Sequence, residues 1–194
     1  MSKGAALLSP PHVATNERRL RFEELYAAHH ASLLGYALRR TDNTDDAADV
    51  LAETFLTAWR RLDDVPPGPQ ARLWLYGTAR RVLANQRRGE LRRLALADRL
   101  RADVAASYRP PDFSGGLQET AAAFRRLPEA DRELLALAGW EGLDPGQIAT
   151  VLGCSRNAAR IRLHRARRRF VAELDRHPVS KARARAHVPN GGYE

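Results

Sequence analysis

Residues 143–169 read LDPGQIATVLGCSRNAARIRLHRARRR and predict two short helices joined by a tight turn. Asp144 is an N-cap, and Pro145 takes the first helical position, where its missing N–H costs nothing. Apolar residues then recur at helical spacing until Gly153, a residue that readily adopts the positive φ at which helices end. Ser155 caps the second helix, which is rich in arginine. This pattern is typical of a helix-turn-helix, whose second helix enters a major groove, so nucleic-acid binding is the first hypothesis.

The charge of the whole chain agrees with that hypothesis. Its 194 residues include 32 basic side chains and 23 acidic ones, which gives a formal net charge of +9. Only Lys3 and Lys181 are lysine. The planar fork of arginine holds phosphate and guanine in a way that lysine cannot. A GC-rich genome can also favour arginine, but it does not explain where the arginines cluster. The charge predicts attraction to polyanions without identifying which one.

Other features argue against several classes of protein. The single cysteine, Cys154, excludes an internal disulfide and a Cys-rich zinc site, and we expect it to be a small buried residue. His29 and His30 lack a ligand at helical spacing, so no metal or other cofactor is expected. No phosphate-binding glycine loop or nucleophile elbow is present, which argues against an enzyme. The chain shows neither a signal peptide nor an apolar run that could span a bilayer, so we expect a cytoplasmic protein without membrane insertion.

The pattern along the chain predicts an all-α protein with two small helical domains joined by a flexible linker. Residues 1–20 are expected to be disordered, and the first helical domain to span 21–101. Residues 102–116, which contain Pro-Pro and Gly-Gly, are expected to form the linker. The helix-turn-helix domain follows over 117–175, and the polar tail 176–194 is expected to be disordered.

Within the first domain, the second helix shows the clearest periodicity. We expect Thr44 to cap it, and its apolar stripe includes Trp59, which is therefore expected in the core. The sequence VPPGP at 65–69 cannot continue a helix, and a third helix is predicted from about Gln70. Trp74, close to arginine on that helix, is the better candidate for stacking on unpaired bases.

Acidic and basic residues are segregated between helices. The second helix is net acidic, whereas the third and the last helices are strongly basic. Two basic surfaces on one linker suit two contacts along one nucleic acid. The acidic surface would repel phosphate and suits docking to a protein, although a merely solvated face is an equal alternative.

Four segments together resemble the extracytoplasmic-function sigma factors of bacterial RNA polymerase. They are DDAADVLAETFLTAWRRL (45–62), LWLYGTARRVLANQRR (73–88), LPEADRELL (127–135) and, within the helix-turn-helix, RLHRAR (162–167). The resemblance covers about 21–95 and 117–174. It implies a sigma region 2 domain followed by a region 4 domain, and a subunit that directs promoter recognition and transcription initiation. It also implies core RNA polymerase, promoter DNA and an anti-sigma factor as partners.

The resemblance further implies three functional surfaces. Residues that dock on the β′ clamp helices of the polymerase are expected in 45–62: Asp45, Asp46, Asp49, Glu53, Leu56, Thr57 and Arg60. Residues that melt and read the −10 element are expected in loop 63–72 and helix 73–93: Arg72, Trp74, Arg80, Arg81, Gln86, Arg87 and Arg88. Residues that read the −35 duplex are expected in 155–169: Ser155, Arg156, Asn157, Arg160, Ile161, Arg162, Arg165 and Arg168. Region 4 is also expected to contact the polymerase β flap.

Three places depart from the family's usual pattern. Arg81 replaces an asparagine, so we expect it to grip phosphate more and read bases less. Ala158-Ala159 replaces Thr-Val, and Ala159 is expected to face inward with a looser fit. Ile161 replaces a small polar residue and is expected to contact a thymine methyl or a sugar. The alternative function is a conventional helix-turn-helix regulator that acts without core polymerase and uses residues 21–95 as a sensor or dimerisation domain.

Overall fold

The computed structural model describes residues 11–98 and 116–176, with side chains described over 16–89 and 119–176. The chain divides between residues 105 and 106 into two compact units. Every regular element in the described ranges is a helix, so the prediction of two small all-α domains is confirmed. The predicted linker 102–116 lies outside these ranges except for Gly116, and the predicted tail lies outside them beyond Arg176.

Residues 11–98 of the first unit form three α-helices, each in contact with the other two. They are α1 (Pro11–Leu38), α2 (Thr44–Arg60) and α3 (Gln70–Asp98), with a short 3-10 helix at Leu62–Asp64. Tyr36 of α1 and Tyr76 of α3 are almost fully buried, and their rings stack with centroids 5.0 Å apart. Burial of side chains of this size, at about 1.5–3 kcal/mol each, supplies most of what holds three helices together.

Helix α1 begins ten residues earlier than predicted. Residues 11–20 are helical, so the expectation that residues 1–20 are disordered is wrong for this part, while 1–10 lie outside the described residues. Pro11 is the first residue of α1, a position that tolerates proline because the N–H there has no helical partner. Pro11 therefore begins a helix and does not interrupt one.

Two details of α2 also correct the predictions. Its N-cap is Asn43, not Thr44: the Asn43 side chain accepts from the Asp46 amide at 2.7 Å, and its φ of −144° is extended. Trp59 is 36% exposed at the edge of the unit, where its ring meets Phe22 edge-on at 5.2 Å. Trp59 follows the helical stripe, but it lies near the end of α2, where the neighbouring α1 covers only one side of the ring.

The described part of the second unit, residues 116–176, forms four α-helices. They are α4 (Gly116–Arg126), α5 (Glu129–Gly139), α6 (Pro145–Leu152) and α7 (Arg156–Asp175). Helix α7 contacts all three others, and its inner stripe of Ala159, Leu163 and Ala166 is buried. Ala159 thus faces inward as predicted. The small residues on this stripe let α7 approach α5 and α6 closely.

An ion pair joins the start of α5 to the last helix. Arg169 Nη1 of α7 donates to Asp131 Oδ2 at 2.6 Å, and the Asp131 side chain is only 8% exposed. Arg169 is therefore committed to holding the unit together rather than presented on the open face of α7. A buried carboxylate with a charged hydrogen-bond partner ties α5 and α7 in one register.

In the described part of the chain, none of the helices has the length and apolar character needed to cross a membrane.

Candidate nucleic-acid interface

Three local features, all predicted from the sequence, fix the start of α6 and the turn from α6 to α7. Asp144 Oδ1 accepts from the Gly146 and Gln147 amides at 2.6 and 3.0 Å, and Gln147 Oε1 accepts in return from the Asp144 amide. Gly153 has φ +64°, so it turns the chain out of α6. Ser155 Oγ then accepts from the Ala158 amide at 3.2 Å and caps α7. This local geometry fixes the start of α7, and packing on α4, α5 and α6 holds the rest of the helix.

Cys154, in the same turn, is half-buried rather than fully buried. Its amide donates to the Ala149 carbonyl at 3.0 Å, which closes the end of α6. The expectation of a fully buried residue is wrong because the turn that holds Cys154 lies on the surface of the domain.

Asp144, the N-cap of α6, makes the stability of the second unit vary with pH in the acid range. Hydrogen bonds from the Gln147 and Gly146 amides, with Arg156 nearby, hold the pKa of the Asp144 carboxyl below its usual value of 3.8. A carboxyl whose pKa is depressed in the folded state stabilises that state above its unfolded pKa. The stabilisation is lost as pH falls through the depressed pKa. At neutral pH the contribution is fully present.

We predict that Asp144→Ala lowers the free energy of unfolding at neutral pH and that this deficit shrinks as pH falls below 3.8. Denaturant unfolding of the two chains across the acid range measures the deficit. Asp144→Asn is the control, because it keeps an acceptor oxygen for the cap but has no charge to titrate. A deficit that stays constant with pH would show that the carboxylate charge is not involved.

Helix α7 separates its residues into a buried and an exposed face. Opposite the buried stripe, spacings of three and four residues bring one track together: Asn157, Ile161, His164 and Arg168. All four are exposed, and Ile161 is 39% exposed, as expected of a residue that faces DNA. His164 was absent from the predicted set, although its spacing of three from Ile161 and four from Arg168 could have revealed it.

The predicted arginines of α7 differ in their surroundings. Arg160 donates through Nη2 to Asn157 Oδ1 at 3.1 Å, so its guanidinium is already oriented on the exposed side of the helix. Arg156 lies beside Gly146 and the Asp144 carboxylate, so its charge is partly balanced by α6. Arg162, Arg165 and Arg168 are exposed. The structure therefore places every predicted −35 residue at the surface, with Arg160 held in position by a neighbour.

Helix α3 carries a second track at the same spacing. It consists of Trp74, Thr78, Arg81, Asn85 and Arg88. Arg81 Nη2 donates to Thr78 Oγ1 at 3.0 Å, and Arg88 Nη2 donates to Asn85 Oδ1 at 2.6 Å. Trp74, half-buried, begins the track. Thr78 is buried, and its hydroxyl donates to the Trp74 carbonyl at 3.0 Å, so it supports Arg81 without being exposed itself. The exposed Asn85 was missed by the sequence prediction.

The other predicted −10 residues do not join that track. Arg87 Nη2 donates to the Arg40 carbonyl at 3.3 Å, beyond the end of α1. Arg72 lies 5.9 Å from the Tyr76 ring centroid. Burial, with a smaller effect of Arg72, lowers the pKa of His29, which places Arg72 against α1. Arg80 and Gln86 occupy other positions around α3. The structure thus divides the predicted −10 set between two sides of the helix.

The acidic face of α2 is exposed and contains one large aliphatic residue, Leu56. Spacings of three and four again bring a strip together: Asp45, Asp49, Glu53, Leu56 and Arg60. Leu56 is 40% exposed within this strip. Asp46 is partly engaged by Asn43 Nδ2 at 2.8 Å, and Thr57 is half-buried at the margin. A carboxylate strip with a central leucine suits a basic partner helix better than it suits plain solvation.

Among the described side chains, no group of three or more histidine, cysteine, aspartate or glutamate residues is placed to hold a metal ion.

Comparison with known proteins identifies both units. The family model for sigma-70 region 2 matches residues 25–93, and that for sigma-70 region 4 matches 117–170. The ECF RNA polymerase sigma factor EcfG of Rhodopseudomonas palustris is 30% identical over 143 residues, covering 74% of this chain and 79% of that protein. SigL of Mycobacterium tuberculosis, also an ECF RNA polymerase sigma factor, is 31% identical and covers 72% and 81%.

A solved structure agrees with these relatives. The sigma factor RpoE in complex with the anti-sigma factor NepR, from Bartonella quintana, superposes with a TM-score of 0.62 at 25% identity. The match covers 79% of this chain and 96% of that one.

Proposed function

The chain belongs to the extracytoplasmic-function sigma factors of RNA polymerase, and we propose that its two units divide a promoter between them. The observation that carries this proposal is the exposed arginine face of α7 on a capped helix-turn-helix. Such a helix fits a major groove and contacts base edges and phosphates. Here Arg160, Arg162 and Arg165 contact the −35 duplex, and Arg156 and Arg168 contact phosphates.

The first unit acts on the −10 element in this proposal. The track from Trp74 to Arg88 presents an indole, an amide and two guanidinium groups along one side of α3, and the buried Thr78 hydroxyl supports Arg81 from within the track. Aromatic rings beside cations suit single-stranded DNA, because every base can stack and every phosphate attracts arginine. Loop 63–72 and Arg72, Arg80, Gln86 and Arg87 support this surface from the side. Arg81, held by Thr78, grips phosphate.

The acidic strip of α2 is the docking surface for the β′ clamp helices of core polymerase. Its carboxylates favour a basic partner, and Leu56 provides an apolar centre, with Arg60 and Thr57 at one end. Region 4 contacts the β flap. An anti-sigma factor, the class of partner bound to the Bartonella quintana sigma factor, holds the chain inactive until it is released.

The chain works in the cytoplasm as a non-enzymatic subunit and associates with the nucleoid when bound to polymerase. Opening of DNA strands requires energy to unstack bases. Binding to the exposed strand supplies that energy, so core polymerase is required for function.

Run-off transcription with purified core polymerase tests the proposed function. We expect promoter-dependent transcripts only when the chain is added, and mapping of transcript starts after overexpression gives both promoter elements. A conventional helix-turn-helix regulator instead binds its operator tightly without polymerase and yields no transcript. Failure of the purified chain to associate with core polymerase would contradict the proposal.

The proposed apolar contact between Ile161 and the −35 DNA can be tested by a single substitution. We predict that Ile161→Ser weakens binding of the holoenzyme to the promoter by about 1 kcal/mol, because an apolar contact to a thymine methyl or sugar is lost. Replacement of −35 thymines by uracil removes only the methyl groups and is the matched control. A methyl contact predicts that the wild-type protein binds the uracil promoter more weakly and that Ile161→Ser binds both promoters alike. A sugar contact predicts that the wild-type protein binds both promoters alike and that Ile161→Ser binds each of them more weakly. If Ile161→Ser leaves affinity and promoter choice unchanged, the contact does not exist.

A further inference from the structure

The first described turns of α1 reach back to the end of α2 and the start of the proline loop. Arg18 donates through Nη2 to the Trp59 carbonyl at 2.7 Å and through Nη1 to Asp63 Oδ2 at 3.0 Å. Arg21 Nη2 donates to the Val65 carbonyl at 2.8 Å. These bonds join residues that are 41 to 45 positions apart in the chain. We call residues 16–21 the α1 arm.

The bonds of Arg18 differ in their expected strength. Trp59 lies in the last turn of α2, where carbonyls lack helical donors and where a positive charge is favourable. The Arg18 guanidinium also lies 5.4 Å from the centroid of the Trp59 ring, which adds a cation–π contact. The Asp63 carboxylate is 83% exposed, so its ion pair contributes little. Arg18 therefore acts mainly at the end of α2, and it positions the loop by fixing the helix end from which the loop leaves.

The bond of Arg21 acts on the entry to the loop. Val65 is buried, and it is followed by Pro66, Pro67, Gly68 and Pro69. Prolines donate no N–H and have a fixed φ, so the chain cannot bend freely after Val65. At the far end, the Ala71 amide donates to the Gly68 carbonyl at 3.1 Å. The direction of the loop consequently depends on how Val65 is held, and Arg21 holds its carbonyl.

We propose that Arg18 and Arg21 are positioning residues that hold loop 63–72 in the conformation that captures the opened −10 strand. The inference rests on the proposed function of that loop. Both arginines precede residue 25, where the match to the sigma-70 region 2 model begins. They act through the loop and do not themselves touch DNA in this scheme.

Promoter opening by the complete holoenzyme tests the role of the arm. Arg18→Met, Arg21→Met and the double variant keep the aliphatic stems but remove every N–H donor. Arg19→Met is the matched control, because it removes the same charge from the same arm, where Arg19 contacts only Asn16 and Glu23 in the described structure. The promoter carries 2-aminopurine in its −10 non-template strand, either as a duplex or with the −10 region held open by mismatches.

We expect the double variant to open the duplex promoter about tenfold more slowly, since each lost hydrogen bond weakens strand capture. Transcription from the mismatched promoter and affinity for core polymerase should stay within about twofold, because pre-opened DNA does not require the loop to compete with base pairing. Arg21→Lys keeps one donor for the Val65 carbonyl and should open the duplex nearly as fast as the wild type. Arg19→Met should behave like the wild type.

Three results would overturn the inference. They are wild-type opening by the double variant, an equal loss for Arg19→Met, and an equal loss on mismatched DNA accompanied by weaker binding to core polymerase. The second would mean general charge attraction, and the third a destabilised domain. A wild-type holoenzyme that transcribes neither promoter would overturn the proposed function itself, and with it the inference; this failure is distinguishable because it appears without any substitution.

Discussion

Replacement of Arg160 by alanine is expected to weaken binding of the holoenzyme to its −35 duplex by about 1–3 kcal/mol, or roughly fivefold to 150-fold. The reason is that Arg160 is held by Asn157 Oδ1 at 3.1 Å on the exposed side of α7, so little freedom is lost when it meets a base. The loss should be concentrated at one base pair. Fluorescence anisotropy with a set of single-substitution duplexes at several salt concentrations measures it.

Arg168→Ala is the matched control for that experiment. Arg168 lies on the same exposed face two turns further along, but we assign it to a phosphate. Loss of Arg168 should weaken binding to all duplexes about equally. The slope of log affinity against log salt concentration should become shallower by about one unit. If Arg160→Ala also weakens every duplex equally with the same change in slope, Arg160 holds phosphate and does not read a base.

The second large effect concerns the stability of the helix-turn-helix unit. Arg169→Met should destabilise it by about 2 kcal/mol, because the nearly buried Asp131 carboxylate loses its charged partner. We take a value below those of fully buried pairs because the Arg169 side chain is 57% exposed. Hydrogen exchange of the α5 and α7 amides in the full chain measures this unit separately from the first one.

A double-mutant cycle separates the ion pair from other effects of the substitution. Asp131→Asn combined with Arg169→Met should be less destabilised than the sum of the two single variants, because the double variant has no buried carboxylate that has lost its partner. Arg167→Met is the control on α7, since Arg167 is exposed and has no part in this pair. Simple additivity in the cycle would contradict a specific coupling between Asp131 and Arg169.

The sequence was sufficient wherever the physical cause is local. Asp144, Gly153 and Ser155 act on amides and dihedral angles within three residues, so the turn between α6 and α7 could be predicted residue by residue. The buried stripes of α2, α3 and α7 follow from helical periodicity in the same way. Asn43 was missed by one position, since asparagine and threonine are both strong caps and both stand at that boundary.

The sequence was insufficient wherever a distant residue decides. Trp59 lies on the apolar stripe of α2, but its exposure depends on how far α1 extends beside it. Nothing near Arg169 indicates a partner 38 positions earlier, and nothing near Arg18 indicates one 41 positions later. The resemblance implied the −10 residues without saying which side of α3 each one occupies, and the structure separates Arg81 and Arg88 from Arg87. The functional assignments of these residues remain predictions that the experiments above test.

The proline-rich connection between α2 and α3 has a thermodynamic consequence. Three prolines within Pro66–Pro69 restrict the unfolded and the unbound chain as well as the bound one, so little conformational entropy remains to be lost when a ligand seats against it. A glycine- and serine-rich replacement of equal length would leave the side chains of α2 and α3 in place. It would increase the conformational entropy that the connection loses when a ligand binds. If the loop captures the opened strand as proposed, part of its affinity comes from pyrrolidine rings that do not contact the DNA.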